Sequence, residues 1–543
     1  SFEEFCTYLA STHPMIKRRL GVFILGVGIG MLHFIIKVYV ERGWNDNYLY
    51  IEDALCSIRQ AANLIYCGSL NQQIRPSHIP QIPPEVWQIV EKNNSGACSP
   101  PYGCYFGRTI LIGIPFVLIV DGLNLTSKQA ARLYTLMIGF YAVVNTGLIF
   151  LLLHILLYPT HKLIYYAGLG GLCIIPFYSG YFTLSHQIVF TLSLITMSIQ
   201  NSAVYSCLSV LLSIFSYFTD WKNMPYALSV PFIWLIANGK RKLYLPIFFF
   251  VVWSIVQVSW SLFIYSHTCR WAIASTHTSF RYYSCDGYRE MCYNTKEYFD
   301  YLSAKMLDLQ AFFGLPHGNQ PHNKSLSTCI SLHVNKKEEK TILTCDLQFP
   351  YLPEWAFSEE FSIDEWQRTL HLIGIAMDTE LPDSLIIRYS KLACQNIDKL
   401  MAAVKRQAYI RLLLYRWSNV IFYNMFHYIH YIKTLKDPAL SRDRLPKWTK
   451  VLYFRYAQVF LPLIHSVGLV LSLVLIYLVI ARKVSSHETL IALLLLSGTW
   501  GYLIPPLLTG HSEWRYFFHT QIMLIIVSAY AVHILTQRSA SQA

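Results

Sequence analysis

Long apolar runs separated by short polar punctuation make up most of the chain. The first covers about 20–40, and others lie at about 132–157, 163–180, 184–199, 203–218, 224–238 and 243–266. A long polar stretch follows, and three more runs close the chain at about 452–481, 488–507 and 517–536. A helix needs about 20 mostly apolar residues to cross hydrocarbon. The pattern therefore predicts an all-α polytopic membrane protein with about 10 transmembrane helices. Basic residues punctuate the runs at "HPMIKRRL" before the first, then at "THK" (160–162), "NGKRK" (238–242), "ARK" (481–483) and "QR" (537–538). Ten crossings place all of these on one side, as the positive-inside rule requires, with both termini cytoplasmic.

Two segments then fall on the opposite face, 41–131 and 267–451. The expected organisation is an N-terminal transmembrane module over 1–266, an extracytoplasmic domain over 267–451 and C-terminal helices over 452–543. The inserted domain is expected to be α or α+β. In the first outer loop "TILIGIPFVLIV" (109–120) is apolar but too short to cross, which suits an interfacial or re-entrant helix. In the second, 402–433 mixes Arg and Lys with aromatics, the pattern of an amphipathic helix lying on the membrane.

Composition supports the membrane reading. The 543 residues are 54% hydrophobic and only 14% charged, where a soluble chain would have about 25% charged residues. The formal charge of +13 resides largely in the short loops, so it reports topology and excludes a nucleic-acid partner. No cleavable signal peptide is evident. The inserted segment carries Cys269, Cys285, Cys292, Cys329, Cys345 and Cys394, and the first loop Cys67, Cys98 and Cys104. On an oxidising face such pairs as Cys285–Cys292 and Cys329–Cys345 read as disulfides. A zinc site would need a tight Cys/His set with ligand spacing, and none accompanies them. No phosphate-cradling Gly-rich loop, Ser-His-Asp arrangement or cytoplasmic nucleotide-binding domain is apparent. "NNS", "NLT" and "NKS" match the N-glycosylation triplet, a pattern common by chance.

The candidate chemistry starts at "NDNYLYIEDALCSIRQAANL" (45–64), which places Asp46, Glu52, Asp53 and Arg59 just beyond the first span. On their own these acids suit the first turn of a loop helix, where the helix dipole favours negative charge. "LTSKQAARLYTLMIGF" (125–140) introduces the second span, "SYFTDWKNMPYALSVP" (216–231) the sixth and "HSEWRYFFHTQIMLI" (511–525) the last. In this order and placement the chain resembles the GT-C superfamily of membrane glycosyltransferases. The likeness is to the branch of aminoarabinose, protein-O-mannosyl and arabinofuranosyl transferases, over about 20–266 and 450–536. The sequence departs from that pattern in having Glu52 as the first acid of the pair, and Cys56 and Ser57 where larger residues are common.

The resemblance implies transfer of a sugar from a polyprenyl-phosphate-linked donor to an extracytoplasmic lipid, glycan or protein acceptor. Such a reaction needs a base for the acceptor hydroxyl and positive charge for the departing phosphate. Asp53 is then the expected base, with Glu52 in support and Asp46 in reserve. A carboxylate there can also hold the acceptor or a divalent cation, since hard cations prefer carboxylate oxygens. Arg59, Arg132, Lys222 and Arg515 are the expected phosphate-binding residues. Arg59 can equally pair with an acid, Arg515 with Glu513, and any of these bases can snorkel to headgroups. His186 reads as packing. The expected setting is a membrane of bacterial inner-membrane type, with the site on the extracytoplasmic side and membrane lipid as a partner. Two other classes remain open. A secondary transporter should show two similar halves with broken helices, and a membrane acyl- or phosphotransferase needs a His or Ser that the sequence does not single out.

Overall fold

The computed structural model describes residues 14–40, 52–67, 106–157, 162–175, 181–199, 203–239, 243–268, 352–376, 381–426, 459–509 and 514–542, with scattered positions and short strands between 302 and 350. The described part of each apolar run read from the sequence falls on helix apart from short turns, and 176–180 and 452–458 lie outside the described residues. The first is α1, Pro14–Val40, and the loop acids open α2, Glu52–Cys67. A turn at Phe106–Arg108 and a π turn at Thr109–Gly113 lead into α3, Ile114–Gly122. Then come α4 (Ser127–Leu157), α5 (Lys162–Ile174), α6 (Tyr181–His186), α7 (Ile188–Ile199), α8 (Ala203–Thr219), α9 (Met224–Asn238) and α10 (Tyr244–Thr268). The C-terminal set is α14 (Leu461–Ile480), α15 (Ser486–Trp500), α16 (Ile504–Thr509) and α17 (Trp514–Gln542). The inserted helices between them are α11 (Ile363–Ala376), α12 (Asp383–Gln407) and α13 (Tyr409–Phe426).

Among the described residues five helices are long and apolar enough to cross a membrane, within α1, α4, α10, α14 and α17. Their surfaces say the same. Ile247, Phe250, Val251, Ile255 and Val258 are exposed along α10, and Leu463, Val467, Val470, Leu473 and Tyr477 along α14. Contiguous apolar surface of that extent is not stable against water. This is a helical membrane protein, with α10 and α14 facing lipid and the largely buried α4 and α17 at the centre.

Local chemistry sets where the helices start and stop. Thr126 and Gln129 form a reciprocal cap: the Thr126 amide donates to Gln129 Oε1 at 2.9 Å and the Gln129 amide to Thr126 Oγ1 at 3.5 Å. The second span therefore starts at Ser127, five residues before the apolar run at 132. Ser485 and Glu488 do the same for α15. The run at 184–199 is interrupted at Gln187, between α6 and α7. The run at 488–507 ends its regular helix at Trp500, where a 3-10 turn, Gly501–Leu503, precedes the prolines of α16. The helix expected over 402–433 is also divided: 402–407 complete α12, Ala408 (φ −135°) bends the chain, and α13 starts at Tyr409.

Small residues let α1 and α4 approach closely, as helices in lipid favour. A β-carbon on Gly26 would stand 2.8 Å from the Gly147 Cα, and one on Gly147 would stand 2.8 Å from Phe23. Gly147→Leu should therefore destabilise the protein by about 1–3 kcal/mol, the usual cost of overpacking. Gly170, with open space beside its Cα, should accept the same change. Unfolding midpoints of the two variants in detergent check this, and equal midpoints would refute the packing.

The insertion has its own core. Leu302, Leu309, Phe312 and Phe313 pack with Trp366, Ile373, Ile397 and Leu412, and Cys394 is buried among them. Lys305 is buried and reaches Asp398 at 2.6 Å. Four short strands form two antiparallel pairs, Ser327–Cys329 with Gln348–Pro350 and Leu332–Asn335 with Lys340–Leu343. The insertion is thus α+β. Arg416 on α13 ties it to the membrane helices. Its Nε donates to the Phe312 carbonyl and its Nη1 to the Leu508 carbonyl at the end of α16, at 2.8 Å. Of the cysteine pairings expected from sequence, Cys285, Cys292 and Cys345 lie outside the described residues.

Candidate functional site

The chain from α8 to α9 reads "SYFTDWKNMP", and each residue type has a local task. Asp220 leaves the helix with extended backbone (φ −151°, ψ 114°) and caps the following 3-10 turn, Trp221–Asn223, by accepting from the Lys222 amide. Pro225 then sits in the first turn of α9, where its missing N–H costs nothing. The cap brings the side chain of Lys222 back over Asp220, with Nζ 2.9 Å from Oδ1. Both side chains are almost fully buried.

Three other turns converge on this carboxylate. Tyr502, in the 3-10 turn after α15, donates its hydroxyl to Asp220 Oδ2 at 3.0 Å. Gln187, at the interruption between α6 and α7, donates Nε2 to the same oxygen at 3.2 Å. Arg108 arrives from the segment between α2 and α4, with Nη2 3.9 Å from Oδ2 and Nε donating to the Thr219 carbonyl at 2.8 Å. Gly107 makes that approach possible, because a β-carbon there would stand 2.6 Å from the Phe218 backbone. Asn223 extends the network by donating Nδ2 to Gln187 Oε1 at 3.1 Å and to the Ser216 carbonyl at 3.3 Å. The ring of His519, in the second turn of α17, lies 4.5 Å from that of Tyr502 and 4.8 Å from that of Phe190.

The electrostatics follow from this geometry. Burial opposes ionisation of Asp220, but Lys222 and Arg108 together with the hydrogen bonds from Lys222 outweigh it and hold the carboxyl below its usual range. Asp220 is therefore an ion at neutral pH. A buried charge set this well connected is costly to dismantle from either side.

The cluster is joined to the acidic helix. Thr109, next to Arg108, donates its hydroxyl to Gln60 Oε1 at 2.7 Å, and Gly113 lies against the Ser57 carbonyl. The π turn leaves the Leu111 carbonyl to accept from the Tyr141 hydroxyl at 2.8 Å. Helix α2 opens on Glu52 and Asp53, and Gln60 lies eight residues after Glu52, about 12 Å along the axis at 1.5 Å per residue. Helix α3 packs between α2 and α4 through Ile58, Ala62, Phe116, Val120 and Tyr134.

The residues expected from sequence are distributed unevenly over this site. Lys222 belongs to it, but as the close ion-pair partner of Asp220. Its charge is committed there, which makes it a weaker phosphate ligand than the sequence implied. Arg132 is exposed on α4 and is not one of the buried side chains. Arg59 lies on α2 and Arg515 at the second position of α17, while Asp46 and Glu513 lie outside the described residues. Among the described residues no three His, Cys, Asp or Glu side chains gather as a metal centre. The sequence reading passed over Asp220, Arg108, Gln187, Asn223, Tyr502 and His519. Each sits at the same predicted end of an apolar run, and that shared depth was the available signal.

No family model, curated protein or solved structure matches this chain. The functional reading therefore rests on its own residues.

Proposed function

We propose that the protein is an integral-membrane glycosyltransferase of GT-C type, with about 10 crossings and its active site on the extracytoplasmic face. It takes sugar from a polyprenyl-phosphate-linked donor and passes it to a lipid, glycan or protein acceptor. The observation that carries this reading is the buried Arg108–Asp220–Lys222–Tyr502 cluster, joined through Thr109 and Gln60 to the helix that opens on Glu52 and Asp53. Its members come from turns that the basic punctuation assigns to one side of the membrane. Convergence of those turns supports the topology, and a framework of fixed charge linked through Thr109 and Gln60 to the helix that opens on a carboxylate pair supports glycosyl-transfer chemistry over simple packing.

In this proposal Asp53 takes the acceptor's proton as its oxygen attacks the anomeric carbon. Glu52 assists, with the acceptor or a divalent cation as its partner, and Asp46 is in reserve. Arg59, Arg132 and Arg515 are the candidate phosphate ligands, and the Asp220–Lys222 pair holds the turn before α9 rigid. The test is transfer of radiolabelled sugar from a panel of polyprenyl-phosphate sugars to membrane acceptors, using purified protein in lipid nanodiscs. Release of polyprenyl phosphate with a labelled product is expected, and no turnover across the panel would count against the reading.

A secondary transporter is the second reading, because the buried Asp220–Lys222 pair is the kind of ionisable group that marks ion pathways in membranes. Uptake of labelled solute driven by an ion gradient, without covalent change, would favour it.

Orientation is tested separately. Single-cysteine labels near residue 90 and at residue 300 should react with a membrane-impermeant reagent from outside, and one at 240 only after permeabilisation. Outside labelling of 240 would overturn the even count of crossings and take the acids away from the proposed face.

A further inference from the structure

The hydrogen-bond directions in the Asp220 cluster are set from the carboxylate outward. Asp220 only accepts, so Gln187 must present Nε2 to it and keep Oε1 for Asn223. The Ser216 carbonyl also only accepts, so Asn223 must present Nδ2 to both Gln187 and Ser216. Asn223 Oδ1 is then turned away from the network, fully buried, with no donor among the described residues. His519 ends the other side of the cluster in the same way. It donates to the Gly498 carbonyl, which occupies Nδ1, and its Nε2 is buried with no partner among the described residues. A neutral ring with the proton on Nδ1 leaves Nε2 as a bare acceptor.

Both residues are over nine-tenths buried, Asn223 at 1% and His519 at 5% exposure. Native proteins seldom leave such atoms unmatched, since each unmatched atom loses its full hydration. What the two share decides the chemistry. Both ask for a donor, and neither can serve a phosphate, which only accepts. Phe190 and Tyr502 flank the His519 ring with apolar surface.

We propose that Asn223 Oδ1 and His519 Nε2 form a subsite for the hydroxyl groups of a carbohydrate, each accepting one O–H hydrogen bond. The proposal rests on the glycosyltransferase reading and deepens it, by dividing the site into a sugar-hydroxyl subsite and a separate cationic phosphate subsite. The subsite then contributes to preference for a glycosylated lipid over the bare carrier, and does nothing for the carrier itself.

The pair His519→Asn and His519→Gln tests it. Asn keeps a donor where Nδ1 stands and removes the Nε2 acceptor, whereas Gln can carry an amide to the Nε2 position. Equilibrium binding to the full chain in nanodiscs would use a polyprenyl monophosphate and the same lipid bearing glucose, galactose, mannose or arabinose. Wild type should prefer at least one glycosylated lipid. His519→Asn should cut that preference about 10-fold, the worth of one buried hydrogen bond, with binding of the bare phosphate unchanged, and His519→Gln should restore most of it. Should His519→Asn fail to fold, Asn223→Ser measured the same way carries the same expectation. Full preference in a folded His519→Asn or Asn223→Ser protein would overturn the subsite while leaving the glycosyltransferase reading intact. Equal binding of bare and glycosylated lipids by wild type overturns the subsite and reduces the two acceptors to a structural role. Failure of every lipid to bind would remove the parent reading and the subsite together.

Discussion

Asp53→Asn should fold normally, bind a polyprenyl-phosphate sugar normally and transfer it about 10²–10⁴-fold more slowly, the typical loss when general-base help is removed. Asparagine keeps the size and much of the hydrogen-bonding shape of aspartate but cannot take the acceptor's proton. The fold should tolerate the change because Asp53 is the second residue of α2, where an acid contributes about 0.3–1 kcal/mol through the helix dipole. Turnover measured beside the unfolding midpoint, for Asp53→Asn and Glu52→Gln separately, makes the distinction. A stable Asp53→Asn protein with near-normal transfer would end the base assignment. Loss confined to Glu52→Gln would move the role one residue back, and two active variants would leave the acids as a helix start.

Asp220→Leu should have the opposite signature, a loss of stability before any loss of chemistry. Removing the carboxylate strands the buried Lys222 ammonium and takes the common acceptor from Tyr502 and Gln187. Breaking a buried ion pair from one side costs about 3–5 kcal/mol. Replacing Lys222 by Met in the same protein should recover a large part of that, because no stranded charge remains and an apolar pair suits the site. The unfolding midpoints of Asp220→Leu, Lys222→Met and the double variant test this, and additive losses would show that the two side chains do not depend on each other. The pH response follows from the lowered carboxyl of Asp220. Its contribution is complete above the unfolded carboxyl's ordinary value and is lost only as pH falls through the lower folded value. Wild-type midpoints at pH 5 and pH 7 should therefore not differ on account of this residue.

The helices were legible because lipid enforces the pattern that reveals them: a run such as 243–266 has no stable alternative to α10. The boundaries were less legible, since they depend on single side chains. The reciprocal Thr126–Gln129 cap starts α4 before its apolar run begins, and Ala408 breaks a stretch whose composition is continuous. The site was legible only in part. Lys222 stood out as a base near a span end, but its partner Asp220 is two residues away in a turn whose shape the sequence does not disclose. Gln187, Tyr502 and Arg108 are 33, 282 and 112 positions from Asp220, and only tertiary structure brings such distant residues to one oxygen. Asn223 and His519 were invisible for a different reason. What marks them is a lone pair unmatched among the described residues, which only the placed neighbours reveal.

The link made by Arg416 decides what can be cut from this protein. That side chain holds one carbonyl from the inserted region and one from the end of α16, the short helix leading on from Tyr502. A shortened gene lacking 267–451 would leave the Leu508 carbonyl without its donor and expose the side of α16 that α13 now covers. Such a product should be made poorly or degraded, because the brace and the cover of α16 are lost together.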